Sequence, residues 1–308
     1  MAHSSFPVEI NVFSCGKFHP KPIEINNEVT RKPLTIVTPL EEGEFPVLIL
    51  LHGFLLDRDF YSQLSCHIAS HGFIVLVPQL YEGILIGFDA DVDVESAAEI
   101  TNWLPEGLQK VLPSQVKANL TKIGLAGHSR GGKAAFALAL NRLNTKLNLK
   151  FSALIGIDPV DGLEKWKQTQ PKVLTYVPHS FDLEIPVMVI GSGLGEFLII
   201  PIWPFRPCAP EGVNHKNFYN ECRKPACYFV VKDYGHLDVL DTQTTGPTGV
   251  ATYCMCKSGK TRDPMRMFVG GVVVTFLKAS FDGDFSYLMA IKDDESSPVS
   301  LQTVNFML

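Results

Sequence analysis

The sequence predicts an α/β fold: a doubly wound, mostly parallel β-sheet with helices on both faces. Two observations carry this expectation. Several short runs of continuous apolar residues, leucine-rich or β-branched, end in turn residues, which is the pattern of strands buried on both faces. Segments of helical pattern lie between them, and such alternation builds a parallel sheet from crossover units. At 308 residues, 46% apolar and 19% charged, the chain can bury a core of the size this architecture needs.

The first 40 residues contain VEINVF and LTIVTP, expected as an antiparallel pair at the sheet edge. Pro46–His52 (PVLILLH) is the first strand of the buried type, followed by a helix over Asp59–His71 and a strand over Phe73–Pro78 (FIVLVP). A helix over Val94–Leu104 precedes a strand at Lys122–Ala126, which falls directly into the alanine-rich helix Gly131–Leu143. Strands at Phe151–Ile157, Pro186–Ile190 and Ala226–Lys232 complete the sheet, and Pro264–Lys278 is the closing helix. No internal repeat or low-complexity linker interrupts the series, so residues 1–308 read as one domain, with 1–40 as edge strands. Two segments stand outside the pattern. Residues 198–221 include the proline- and aromatic-rich IIPIWPFRPCAPEG, and residues 241–263 are polar with glycine and two cysteines. Both exceed ordinary connection lengths and are expected to be functional insertions.

A net charge of −5 and a pI near 6.0, with no basic stripe to neutralise phosphates, argue against nucleic acid as a partner. No run approaches the roughly 18 uninterrupted apolar residues of a membrane span. The start, MAHSSFPVEINVFSC, lacks the pattern of a secretory signal, and Glu9, Glu24 and Glu28 with little arginine make a poor transit peptide. An intracellular protein, chloroplast or cytosol, with reduced thiols is the expectation for the seven cysteines. Cys254-Met-Cys256 has no histidine or second cysteine pair nearby in sequence and reads as structural, so no metal site is expected.

Chemistry concentrates around Gly127-His128-Ser129-Arg130-Gly131. A G-x-S-x-G match alone is weak, because glycine-rich corners with a capping serine are common. Here it directly follows a strand and directly precedes a helix. A nucleophile on a strained turn needs that setting, with small residues on both sides and a helix N-terminus near the developing oxyanion. A serine nucleophile needs a base, and His236 follows the last buried strand in YFVVKDYGHLDVLD, in the chain order Ser…acid…His. His52-Gly53-Phe54-Leu55 resembles an oxyanion loop, so the backbone N–H groups of Phe54 and Arg130 are the expected oxyanion donors. His128, one residue from the serine, is expected to pack or hydrogen-bond. The acid stays open between Asp158, in Asp158-Pro159-Val160-Asp161, and Glu196, after the next strand. Fold logic favours Glu196; either carboxylate could instead form a turn or cap a helix. Gly191-Ser-Gly193-Leu-Gly195 is not a dinucleotide loop, since Glu196 takes the position that needs glycine or alanine.

GHSRGG, LIGIDPVDG, VIGSGLGE, CAPEGVNH and KDYGHLD, with SHGFIVLVPQLY and RMFVGGVVVTFLKA, resemble plant chlorophyllases from about Pro39 to Lys278. The resemblance implies the α/β-hydrolase fold and a serine carboxylic-ester hydrolase that cleaves chlorophyll to chlorophyllide and phytol. It implies a triad of Ser129, Asp158 and His236, no cofactor, and magnesium that arrives with the pigment. It also implies any membrane association as peripheral contact with pigment-bearing membranes. A flat macrocycle and a phytyl chain need a broad apolar wall, and Trp203 and Phe205 in the proline-rich insertion are the expected substrate contacts. The competing readings are a general carboxylesterase or lipase, and a non-catalytic module that keeps the fold for a hydrophobic ligand.

Overall fold

A computed structural model of the chain describes residues 11–26, 30–81, 87–199 and 206–308. Among the described residues nine strands form one sheet: β1 (Pro20–Ile25), β2 (Leu34–Pro39), β3 (Gly43–Leu51), β4 (Ile74–Pro78), β5 (Val116–His128), β6 (Ala153–Ile157), β7 (Val187–Ser192), β8 (Ala226–Val231) and β9 (Leu301–Met307). Their order is β1-β2-β4-β3-β5-β6-β7-β8-β9. Strands β3 to β8 run parallel, whereas β1 and β2 at one edge and β9 at the other are antiparallel. This is the mostly parallel sheet of an α/β-hydrolase.

The continuous apolar runs have their explanation in two cores, one on each face. On β3, Val47, Ile49 and Leu51 enter one core while Leu48 and Leu50 enter the other. Helices α2 (Asp91–Val111) and α3 (Arg130–Ala139) cover the first face through Val94, Ile100, Leu108, Ala134 and Phe136. Helices α1 (Ser62–Ser70) and α6 (Asp263–Asp282) cover the second through Leu64, Ile68, Phe268 and Val272. By length and composition α6 could cross a membrane; here Phe268–Leu277 is buried throughout in the second core.

Several boundaries differ from expectation. The edge partner of β2 is PKPIEI, not VEINVF: residues 8–10 lie outside the described residues, and Asn11–Phe13 form a turn with Val12 and Phe13 buried. PKPIEI is too polar to read as a strand, but an edge strand needs only one covered side. The helix expected to end at Leu104 continues past Pro105 to Val111, because burying Leu104 and Leu108 outweighs one lost backbone hydrogen bond. Pro46, inside a central strand, sits at a register irregularity between β3 and β5 that removes the need for its N–H. β9 was not expected; its residues are only half-buried, with Phe306 against Phe229 at 5.6 Å between ring centres. Three further short helices, α4 (His215–Glu221), α5 (Gly246–Ala251) and α7 (Ser286–Ala290), also escaped the sequence pattern.

The order places β3 between β4 and β5, so the connections leaving β3 and β5 diverge at their C-terminal ends. Such a switch point opens a crevice above the sheet. Into it project the residues that follow β3, His52-Gly53-Phe54, and the residue that follows β5, Ser129.

Candidate active site

Ser129 stands at φ 55°, ψ −121°, a backbone conformation that L-residues avoid. Its neighbours explain how the turn survives. A Cβ on Gly127 would lie 2.1 Å from the Gly131 carbonyl oxygen, and one on Gly131 would lie 2.4 Å from the carbonyl oxygens of Leu51 and His52. Only glycine fits at both places. The turn is tied down by the Ser129 N–H to the Ile157 carbonyl at 3.0 Å and by its own carbonyl, which accepts from the N–H groups of Lys133 and Val160.

The structure brings Ser129, His236 and Asp158 into one hydrogen-bonded chain. His236 Nε2 is 2.8 Å from Ser129 Oγ, and His236 Nδ1 is 2.8 Å from Asp158 Oδ2. All three side chains are buried. Asp158 follows β6 directly and also accepts from the Ser192 hydroxyl and, at 3.3 Å, the Ser192 N–H. Burial would raise its carboxyl, but the hydrogen bond and charge of His236, the charge of His215 and the Ser192 hydroxyl hold it down at about 2. His215 is a second buried histidine here, with Nε2 3.9 Å from Asp158 Oδ1 and Nδ1 2.8 Å from the Tyr228 hydroxyl. Glu196 lies elsewhere: it accepts from Asn214 at 2.7 Å and pairs with Lys216 at 2.6 Å. Partial burial would raise Glu196, and these two partners lower it.

The expected oxyanion donors face one pocket. Tyr61 accepts from the Gly53 N–H at 3.0 Å and Tyr81 from the Leu55 N–H at 2.8 Å. Between these clamped amides, the Phe54 N–H donates to no acceptor among the described residues, and neither does the Arg130 N–H at the start of α3. Phe54 and Arg130 line a pocket of about 160 Å³ with Ser129, walled by Phe88, Val160, Leu163, Pro207 and Pro210. The Arg130 guanidinium binds Asp93 and the Gly87 carbonyl and lies 5.2 Å from the Phe54 ring centre. Burial raises Asp93 to about 6 even against this arginine. Lys133, also buried at the pocket, pairs with Asp161 at 3.1 Å and donates to Thr169. Trp203 and Phe205 lie outside the described residues. Tyr61 and Asp93 carry no local motif that marks them; Ser192 and His215 lie in VIGSGLGE and CAPEGVNH, segments that carry the family resemblance, but only their three-dimensional placement beside Asp158 shows what they touch.

A disulfide joins the two segments outside the strand–helix pattern beside this pocket. Residue 208 walls it, and Cys208 is joined to Cys256 by a disulfide, Cα to Cα 5.7 Å. The expectation of reduced thiols is therefore corrected for these two residues, while Cys15, Cys66, Cys222, Cys227 and Cys254 are free. The reason is tertiary: only the fold brings together two cysteines 48 residues apart. The second segment wraps the buried Arg262, which donates to the Asp241 and Thr252 carbonyls and lies 4.2 Å from the Tyr253 ring centre. Asp238 accepts from both Gly235 and Gly259 at 2.7 Å, joining this segment to the turn that carries His236. Reduction, or Cys208→Ser, is expected to lower stability by up to ~4 kcal/mol on the loop-closure model, read as a fall in Tm. Identical melting of oxidised and reduced protein would show that the segments are held without the bond.

Comparison with known proteins gives the same family throughout. The chlorophyllase family model matches residues 8–308. Chlorophyllase-2 of Arabidopsis thaliana is 56% identical over 274 residues, covering 88% of this chain and 85% of the relative. Chlorophyllase-1 of Arabidopsis thaliana is 45% identical over 91% of this chain and 86% of its own length. Chlorophyllase-1, chloroplastic, of Citrus unshiu is 44% identical over 90% of this chain and 81% of its own length. With an α/β-hydrolase sheet beneath a buried serine, histidine and aspartate, the chain belongs to the chlorophyllase family of carboxylic-ester hydrolases.

Proposed function

We propose that the protein hydrolyses the phytyl ester of chlorophyll to chlorophyllide and phytol through a Ser129–His236–Asp158 triad and an acyl-enzyme. The observation that carries this reading is the unbroken chain of two 2.8 Å hydrogen bonds from Asp158 through His236 to Ser129. With Nδ1–H donated to the low-pKa carboxylate, Nε2 is the free acceptor for the serine proton. The alkoxide attacks the propionate ester carbonyl, and the oxyanion is held by the N–H groups of Phe54 and Arg130, preorganised and partly screened from water. Phytol leaves with the proton from His236, and water then cleaves the chlorophyllide ester of Ser129 by the same steps. Asp158 keeps the imidazole in the required tautomer and stabilises the imidazolium; it does not take the proton.

The pocket beside Ser129, at about 160 Å³, is smaller than the ~300–1,000 Å³ of ordinary small-molecule sites. It suits the ester and flanking methylenes, which leaves the macrocycle to lie across the mouth, on the exposed ring of Phe88; Trp203 and Phe205 are proposed as further pigment contacts from the sequence alone. Phe88→Ala and Trp203→Ala are therefore expected to weaken pigment hydrolysis much more than hydrolysis of a short p-nitrophenyl ester, which lacks the ring contacts. Equal losses on both substrates would mean that these side chains support the triad or the fold. The direct test of the activity is incubation of the purified protein with chlorophyll a, with chlorophyllide and phytol resolved by chromatography. Rapid turnover of the p-nitrophenyl ester without chlorophyllide would make the protein a general esterase. The pigment substrate and the chloroplastic Citrus relative support the chloroplast over the cytosol as its compartment, which fractionation of plant cells tests.

A further inference from the structure

We infer that Tyr61 and His128 are positioning residues that hold the oxyanion loop, the nucleophile turn and the turn of the base in a single register. A buried wire of hydrogen bonds joins the three. The Gly53 N–H donates to the Tyr61 hydroxyl at 3.0 Å, that hydroxyl is 2.7 Å from His128 Nδ1, and His128 Nε2 is 2.8 Å from the backbone carbonyl of His236.

The direction of every proton in this wire is forced by its ends. A backbone amide can only donate, so the Tyr61 oxygen accepts from Gly53 and sends its single proton on to His128 Nδ1. A backbone carbonyl can only accept, so His128 carries its proton on Nε2 and gives it to His236. Burial, with the charge of His236 second, keeps His128 at about 3, and burial raises the Tyr61 phenol, so neither group leaves this state near neutral pH. His128 is fully buried and its ring centre lies 4.8 Å from that of His236. The wire starts one residue from the proposed oxyanion donor Phe54, passes one residue before Ser129, and ends on the main chain of the base itself. Every polar atom along it is paired, and a fully satisfied buried network resists the sub-ångström displacements to which a reacting geometry is sensitive.

This inference rests on the triad reading above, and the test separates the two. Steady-state kinetics with p-nitrophenyl butyrate are measured for Tyr61→Phe, His128→Leu, the double variant and His128→Gln, each well below its own Tm so that stability cannot masquerade as rate. Tyr61→Phe removes one oxygen and strands the Gly53 N–H and His128 Nδ1. Either single loss is expected to lower kcat roughly tenfold to a hundredfold, the scale on which a small misplacement of reacting groups acts, with KM within about twofold. Because the two side chains act as one wire, the double variant is expected to be no slower than the worse single variant by more than about twofold. His128→Gln, whose amide can both accept from Tyr61 and donate to the His236 carbonyl, is expected to recover most of the rate. Wild-type kcat in folded Tyr61→Phe overturns the inference, and so do losses that multiply in the double variant. Tyr61→Phe and His128→Gln carry the test if His128→Leu does not fold. Ser129→Ala run alongside distinguishes the failures: if it is active the triad reading falls, whereas an inactive Ser129→Ala beside an unimpaired Tyr61→Phe removes only the wire.

Discussion

Ser129→Ala is expected to lower kcat by at least ~10³ on any ester while leaving the fold intact, the size of loss that follows removal of a nucleophile when the oxyanion donors remain. The serine is buried and its hydroxyl meets His236 at 2.8 Å, so alanine removes one hydrogen bond and little volume. Ser129→Gly makes the complementary case. At φ 55°, ψ −121° the backbone strain of a non-glycine residue is of order 1–3 kcal/mol, and glycine relieves it at a smaller entropic cost. The glycine variant is therefore expected to be as inactive as the alanine variant and to melt at the same temperature or higher. Near-normal pigment hydrolysis by folded Ser129→Ala, measured by chromatography of chlorophyllide, would remove Ser129 from the mechanism.

Asp158→Asn is expected to cost about 10⁴ in kcat, the scale on which a triad carboxylate acts when its amide leaves the histidine in the wrong tautomer. His236 Nδ1–H and the Ser192 hydroxyl share one carboxylate oxygen, Oδ2, while Oδ1 faces the Ser192 N–H, so an amide nitrogen at the first place strands two donors and at the second opposes a third. Glu196→Gln loses an ion pair with Lys216, whose side chain is 53% exposed, and is expected to change kcat less than about twofold, since half-exposed pairs contribute little. Thermal melts of both variants guard against misreading a folding defect as a catalytic one. The reverse ranking would hand the role to Glu196 and leave Asp158 as a strand-end anchor.

Features governed by neighbours in the chain were legible in the sequence alone. Continuous apolar strands follow from a sheet covered on both faces. The Gly127–Gly131 motif was readable because its steric requirement is local: a strained serine between a strand and a helix, with no room for a side chain on either glycine. The choice between Asp158 and Glu196 was not local. Both follow parallel strands of the same sheet, and strand-end logic alone pointed to Glu196. In the fold, Asp158 turns under His236 from 78 residues away, while Glu196 is drawn off by Asn214 and Lys216.

The layered architecture, the strand-to-helix turn at Ser129 and the loop after β3 were readable along the chain, because burial periodicity and backbone sterics act over a few residues. The edge partner of β2, the pairing of β9, the Cys208–Cys256 bond and the path from Gly53 through Tyr61 and His128 came from the fold alone, and Asp158, implied in the sequence through the family resemblance but not by strand-end logic, meets His236 there. Edge pairing, disulfides and buried polar wires depend on which distant groups arrive within about 3 Å of one another, and no periodicity along the chain encodes that distance.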